Sequence, residues 1–193
     1  MKIKNLKLKI AHGGFTMIEL LIVIAVLGVL AVAVISAINP IEQINRSYDT
    51  GSRSDAEQLI GAVDRFYANN QYYPWQTGAT DTNALGNLTV IDPTTSGVDP
   101  IGRILNTLSG STSELKSAYI TKIQGSTYNY LRIYNLGDQG SSTYTCFGPK
   151  SSAFKLQASQ RCGGVTGPNL PTDLSSAAKA IICAANAELS CLP

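Results

Sequence analysis

His12-Gly13-Gly14-Phe15-Thr16-Met17-Ile18-Glu19-Leu20 is the stretch that decides how this 193-residue chain is organised. Before it lies a basic segment, residues 1–14, with Lys2, Lys4, Lys7 and Lys9 and no acid. After it, residues 15–38 carry a single charge, Glu19, and residues 20–35 are wholly apolar. Residues 20–38 as a helix would span about 28 Å at 1.5 Å per residue. A bilayer's hydrocarbon core is about 30 Å thick, so the segment is long enough to cross it. The four lysines then place the N-terminus in the cytoplasm and the remainder outside.

Three readings compete for this segment. A secretory signal peptide would have the basic start, the apolar core and a small-residue cleavage site such as Ala31-Val32-Ala33. A plain membrane anchor would keep the whole segment. The third is a leader cut before the apolar run instead of after it. Glu19 separates them. A signal peptide has no use for a carboxylate at the head of its apolar segment, and an acid there needs a partner. The sequence GGFTMIELLIVIAVLGVLAVAVISAINP, residues 13–40, resembles the N-terminus of type IV prepilins and pseudopilins. The resemblance implies cleavage by a membrane prepilin peptidase after Gly14, methylation of the new amine on Phe15 by the same enzyme, and an assembly role for Glu19.

The chemistry of these residues agrees with that expectation. Gly14 offers a protease an unhindered backbone. Cleavage there creates an α-amine whose ordinary pKa is about 7.7–8.0, largely cationic at neutral pH. Phe15 and Glu19 are one helical turn apart. The amine of one subunit could therefore pair with Glu19 of another, each offsetting the cost of the other's charge in an apolar surrounding. Thr16 could support the same turn or be a tolerated polar residue near the interface. Loss of the leader's four lysines takes the formal net charge from +2 to −2, so the basic pI belongs to the leader and does not signal DNA affinity. Gly28 and Pro40 are the weak points of the helix: glycine is a poor helix former, and Pro40 removes a backbone bond and clashes with the Ser36 carbonyl. The resemblance implies that residues 28–40 can unwind when subunits pack.

Beyond Pro40 the apolar residues fall on one face: Ile41, Ile44, Tyr48, Leu59, Val63 and Phe66, flanked by Ala56, Ile60 and Tyr67. That spacing predicts an amphipathic helix packed on a globular head. Residues 49–53 are a candidate break, with Ser54 and Glu57 as a capping box for a restart, but one continuous helix from Phe15 to about Asn69 is the preferred expectation. The expected fold is α+β and pilin-like. A long N-terminal helix, transmembrane in its first half, packs by its second half on a small antiparallel sheet. The expected divisions are a leader (1–14), a transmembrane and polymerisation helix (15–39), the amphipathic half (40–70) and the head (71–193). Within the head, residues 75–99 read as a surface loop. Asp99-Pro100 opens a short helix with Ile101, Ile104, Leu105 and Leu108 inward, and Ser111 with Glu114 suggests a further one-turn cap. Residues 118–124 and 127–135 read as a hairpin about Gly125-Ser126. Strands at 142–147 and 153–156 follow, then a loop at 163–171 and a C-terminal helix from Asp173 to about Ala187 with Leu174, Ala178, Ile181 and Ala185 inward. The strand tyrosines Tyr130 and Tyr134 are expected to be half-exposed.

The four cysteines are Cys146, Cys162, Cys183 and Cys191. There is no CxxC and the one histidine, His12, lies in the leader. Zinc, thioredoxin-like and histidine-based chemistry are therefore not indicated for the processed chain. Export favours disulfides. Local pairing, Cys146–Cys162 and Cys183–Cys191, is the simplest of three connectivities. Resemblance to pilins, which commonly carry a C-terminal disulfide loop, then favours a pilus over a calcium-dependent major pseudopilin. Asp81, Asp92, Asp99 and Asp138 could attract calcium, but their spacing fits no EF-hand. Asn45-Arg46-Ser47 and Asn87-Leu88-Thr89 are sequons. No nucleotide-binding loop, paired acids or Gly-x-Ser-x-Gly elbow appears, so no enzyme and no cofactor is expected.

The resemblance implies a structural subunit of a type IV pilus-like filament. Its partners would be copies of itself, other pilins, the prepilin peptidase and methyltransferase, an inner-membrane assembly platform with a separate ATPase motor, and membrane lipid. DNA would join them only for a competence pilin. The precursor would cross the cytoplasmic membrane once, with its head outside, before entering an extracellular pilus or a periplasmic pseudopilus. The alternatives are a pseudopilin of a type II secretion system, a minor competence pilin, and an anchored binding protein that never polymerises.

Overall fold

In a computed structural model the described residues are 13–81, 85–90, 100–110, 112–123, 128–138, 140–164, 167–184 and 188–193, with backbone alone for 85–90 and 100–102. The leader lysines, Asp92, Asp99, Ser111, the Gly125-Ser126 turn and Ala185 lie outside them. The chain divides into two compact units, residues 1–40 and 41–193.

The first unit is helix α1, Met17–Ala37. None of its residues is buried, and it is long and apolar enough to cross a membrane. Gly28 sits within it without interrupting it. The helix ends at Ile38, whose φ −100° and ψ 130° are extended. Helix α2, Pro40–Asn70, begins immediately after Asn39. The expected unbroken helix from Phe15 is thus two helices with a break at Ile38-Asn39. The reason is Pro40, which biases its predecessor toward extended backbone and suits a first helical position, where no N–H is needed.

The second unit is built on α2. The helix runs through residues 49–53 without a break, so Ser54 and Glu57 cap nothing: Glu57 accepts instead from Arg53 one turn away (3.2 Å). Its buried stripe is Asp49, Ser52, Asp55, Ala56, Leu59, Ala62, Val63 and Phe66. Ile41, Ile44 and Tyr48, expected inward, are 69%, 54% and 55% exposed. The stripe starts with two carboxylates because the head offers them donors, as described below. Gln71 ends the helix in the left-handed region (φ 62°), and its N–H closes on the Tyr67 carbonyl.

The sheet has four antiparallel strands in the order β1-β2-β3-β4: Leu85–Val90, Arg132–Asn135, Tyr144–Phe147 and Ser190–Leu192. Strand alternation sends the two faces into separate cores. Leu131, Ile133, Phe147 and Leu192 pack with Leu59, Val63 and Phe66 of α2. Helices α3 (Pro100–Ser109) and α4 (Ser117–Ile123) close that core with Ile104, Leu105, Leu108, Tyr119 and Ile123. On the other face Tyr134, Tyr144 and Cys146 meet Leu174, Ala178 and Ile182 around helix α6, Ser176–Ile182. Helix α5, Ser152–Cys162, joins β3 to this second core through Cys162.

Four expectations in the head are corrected. Residues 85–90 form the edge strand β1, paired with β2, and are not loop. Residues 117–123 are helix α4, not half of a hairpin: the buried pair Tyr119 and Ile123 is four residues apart, the spacing of one helix face. Residues 153–156 lie in α5, whose start is fixed by Ser151 as N-cap, its hydroxyl accepting from the Phe154 N–H. Tyr134 is fully buried, not half-exposed, because a helix covers this face of the sheet too. Glu114 pairs with Arg65 of α2 at 2.8 Å, while its expected cap partner, Ser111, lies outside the described residues.

The disulfides also differ from the local pairing. They are Cys146–Cys191 and Cys162–Cys183. Cys146 and Cys191 are opposite partners in the β3–β4 register. Cys162 ends α5 and Cys183 caps the end of α6. The fold joins what the chain separates by 45 and 21 residues. Arg161 of α5 donates to the Cys191 carbonyl (2.9 Å), so α5 guards the short edge strand.

Candidate functional site

Four residues before helix α1 carry the processing candidates. Gly13, Gly14, Phe15 and Thr16 are exposed and without regular structure. A side chain added at Gly13 or Gly14 would meet nothing within 4 Å. Among the described residues nothing covers the Gly14–Phe15 bond, and Phe15 is 86% exposed.

Thr16 proves to be more than a tolerated polar residue. It is the N-cap of α1 and forms a reciprocal capping box with Glu19. The Glu19 N–H donates to Thr16 Oγ1 (3.2 Å). The Thr16 N–H and hydroxyl both donate to Glu19 Oε2, at 2.9 and 2.7 Å. These bonds satisfy N–H groups that every helix start leaves unpaired. Both fall on Oε2, so Oε1 is engaged by nothing among the described residues. The carboxylate also sits at the positive end of the helix dipole, where negative charge is favoured. A Thr-x-x-Glu spacing was the available signal in the sequence.

In the second unit, three acids of α2 hold the head. Asp49, fully buried, accepts from the backbone N–H groups of Lys150 (2.8 Å) and Ser151 (2.7 Å) and from the Ser151 hydroxyl (2.6 Å). Glu42 accepts from the Ser152 N–H (3.1 and 3.2 Å) and hydroxyl (2.8 Å). Together they fill the start of α5, where backbone donors and dipole attract anions. Asp55 accepts from the Lys122 ammonium (2.6 Å) and the Tyr128 hydroxyl (3.1 Å). The Tyr119 hydroxyl donates to the Asp55 carbonyl (3.0 Å). Burial pushes the Tyr119 and Tyr128 hydroxyls well above the usual tyrosine range, so both remain protonated donors. Sequence reasoning missed these grips because the partners lie as many as 110 residues apart.

The Ser152 hydroxyl and N–H hold the Glu42 carboxyl below the usual carboxylate range. A depressed folded value means that this contact stabilises the head above about pH 4.5 and is lost as pH falls through the lower folded value. The stability gap between the wild type and Glu42→Gln, measured by urea unfolding, should therefore be widest at neutral pH and close toward pH 3. A gap that widens on acidification would contradict the sign.

The remaining candidates separate. Asp81 and Asp138 line one cleft of about 240 Å³ beside Tyr67, and Asp81 closes its own loop by accepting from the Thr77 N–H and hydroxyl. Among the described residues no group of three or more histidine, cysteine or acidic side chains could hold a metal. Asn45 lies on α2 and Asn87 in β1. Tyr144 donates to the Asp173 carboxylate at 2.8 and 2.9 Å, and burial with that neighbour pushes its hydroxyl up to about 12.

Comparison with known proteins places the first of these regions. The family model described as the prokaryotic N-terminal methylation motif matches residues 11–35. No curated protein and no solved structure matches the chain. The match spans the Gly14–Phe15 bond, the Thr16–Glu19 capping box and nearly all of α1. This chain therefore carries the prokaryotic N-terminal methylation motif, the type of leader found on type IV pilins and pseudopilins.

Proposed function

We propose that the chain is a structural subunit of a type IV pilus-like filament, cleaved after Gly14, methylated on Phe15 and assembled through helix α1. The observation that carries this is Glu19. It is the lone charge of an apolar helix with no buried residue, and one of its oxygens remains to accept a bond after its own helix is capped. Copies of the chain would cover the apolar surface of α1. The amine of an incoming Phe15 would reach Glu19 Oε1 of a subunit already in place. Residues 15–39 serve as the membrane span before assembly and as the packing surface after it. The break at Ile38-Asn39 and Gly28 mark where this segment unwinds. Prepilin peptidase, other pilins, an assembly platform and a separate motor are the partners this requires.

The test is intact mass and N-terminal sequencing of the protein from its native membrane and from sheared surface material. The expected chain starts at methylated Phe15 in both. Its absence from the sheared fraction alone would favour a pseudopilus. A chain starting near Ala33, or retaining Met1, would overturn the proposal.

A further inference from the structure

Helix α2 presents a ridge that the head leaves uncovered. Ile41, Ile44 and Tyr48 lie on one helical face at positions i, i+3 and i+7, and each is more than half exposed. The same face continues through Gly51 to Asp55, where it walls a cleft of about 260 Å³. Lys122 and Lys150 line that cleft with Ser47, Tyr128 and Asn129. Lys122 is paired with Asp55. The Lys150 ammonium stands 4.7 Å from the centre of the Tyr48 ring, and no carboxylate among the described residues pairs with it. The cleft therefore has one uncompensated cation, flanked by the Ser47 hydroxyl and the Asn129 amide, at the end of an apolar ridge.

That combination is complementary to an amphipathic anion. Covalent reach supplies its source. Ile41 follows Ala37, the last residue of α1, by four positions, at most about 14 Å of extended chain. Tyr48 is about 10 Å further along α2. With α1 in a bilayer, the cleft cannot move far from the membrane–water boundary. We infer that this face binds the phosphodiester headgroup of an anionic phospholipid, its phosphate at Lys150 and Lys122 and an acyl chain along Ile41 and Ile44. The inference rests on the anchored precursor of the preceding section. It gives the subunit a lipid-held state that packing against another copy would have to displace.

The experiment uses the full chain in detergent micelles, with native mass spectrometry of bound phosphatidylglycerol and phosphatidylcholine. The wild type should retain phosphatidylglycerol preferentially. Lys150→Gln should weaken that preference roughly fivefold, the effect of one basic residue at an anionic surface. Lys179→Gln, the same charge change outside the cleft, should leave it intact. Equal preference in Lys150→Gln and wild type would overturn the inference by assigning the effect to the leader lysines. Soluble glycerol 1-phosphate binding as tightly as the lipid would replace a lipid site with a free phosphate ester site. Dimers cross-linked through Tyr48 in the presence of phosphatidylglycerol would give the ridge to a second copy. A chain that leaves the micelle altogether would instead refute the anchoring, whatever the lysine variants do.

Discussion

Glu19→Val should give a chain cut at Gly14–Phe15 as in the wild type but missing from sheared filaments. The variant leaves the scissile segment exposed and removes the one anion of α1. An incoming amine would then be buried without a partner, a defect that costs about 3–5 kcal/mol when a buried pair is broken. Each 1.4 kcal/mol is a factor of about ten in an equilibrium, so filament yield should fall by at least about 100-fold. Valine also removes half of the capping box, worth about 1 kcal/mol, and Glu19→Gln separates the two effects. Glutamine can still accept from the Thr16 N–H as a capping-box partner but carries no charge for the amine. Glu19→Gln should keep α1 helical and still fail to assemble. Normal filaments from Glu19→Gln, judged by electron microscopy of sheared fractions, would remove charge pairing from the mechanism and leave only the cap.

The second large effect is expected from Cys146→Ala with Cys191→Ala. The bridge closes a long loop between β3 and β4, at a separation of 45 residues. In the chain-entropy model such a loop is worth about 4 kcal/mol, a large share of the 5–15 kcal/mol typical of a folded domain. Alanine avoids placing new hydroxyls in a core where Cys146 is fully buried. The melting temperature should drop by about 10 °C or more, and added reductant should lower the wild type at least as far. Peptide mapping without reduction should recover Cys146 with Cys191 and Cys162 with Cys183. A peptide joining Cys146 to Cys162 would refute the pairing and the β3–β4 register with it.

The parts of the molecule that could be read from the sequence share one property: their determinants are local. The apolar run of α1 and the periodicity around Leu59, Val63 and Phe66 both act within a few residues. The N-terminal methylation motif at residues 11–35 was legible for the same reason. What failed was set by distant partners. Residues 118–123 carry tyrosine, isoleucine and threonine, which favour strands, yet packing on α2 makes them helix. Residues 85–90 contain glycine and asparagine and look like loop, yet pairing with β2 makes them strand. The inward turn of Asp49 contradicts hydrophobic patterning, because its donors come from Lys150 and Ser151 at the start of α5. The cysteine connectivity belongs to the same class, since four cysteines allow three pairings and only the β3–β4 register selects one.

The two bridges are nested: Cys162–Cys183 lies inside the interval closed by Cys146–Cys191. A protease nick in the stretch between Cys162 and Cys183, which includes the turn-rich segment 167–175, severs the main chain without releasing either piece. The inner bridge and the outer one each still tie the downstream part to the upstream. A chain clipped there keeps its mass on a non-reducing gel and separates into two fragments only when both bridges are reduced. Damage at that loop is thus silent to the assembled molecule.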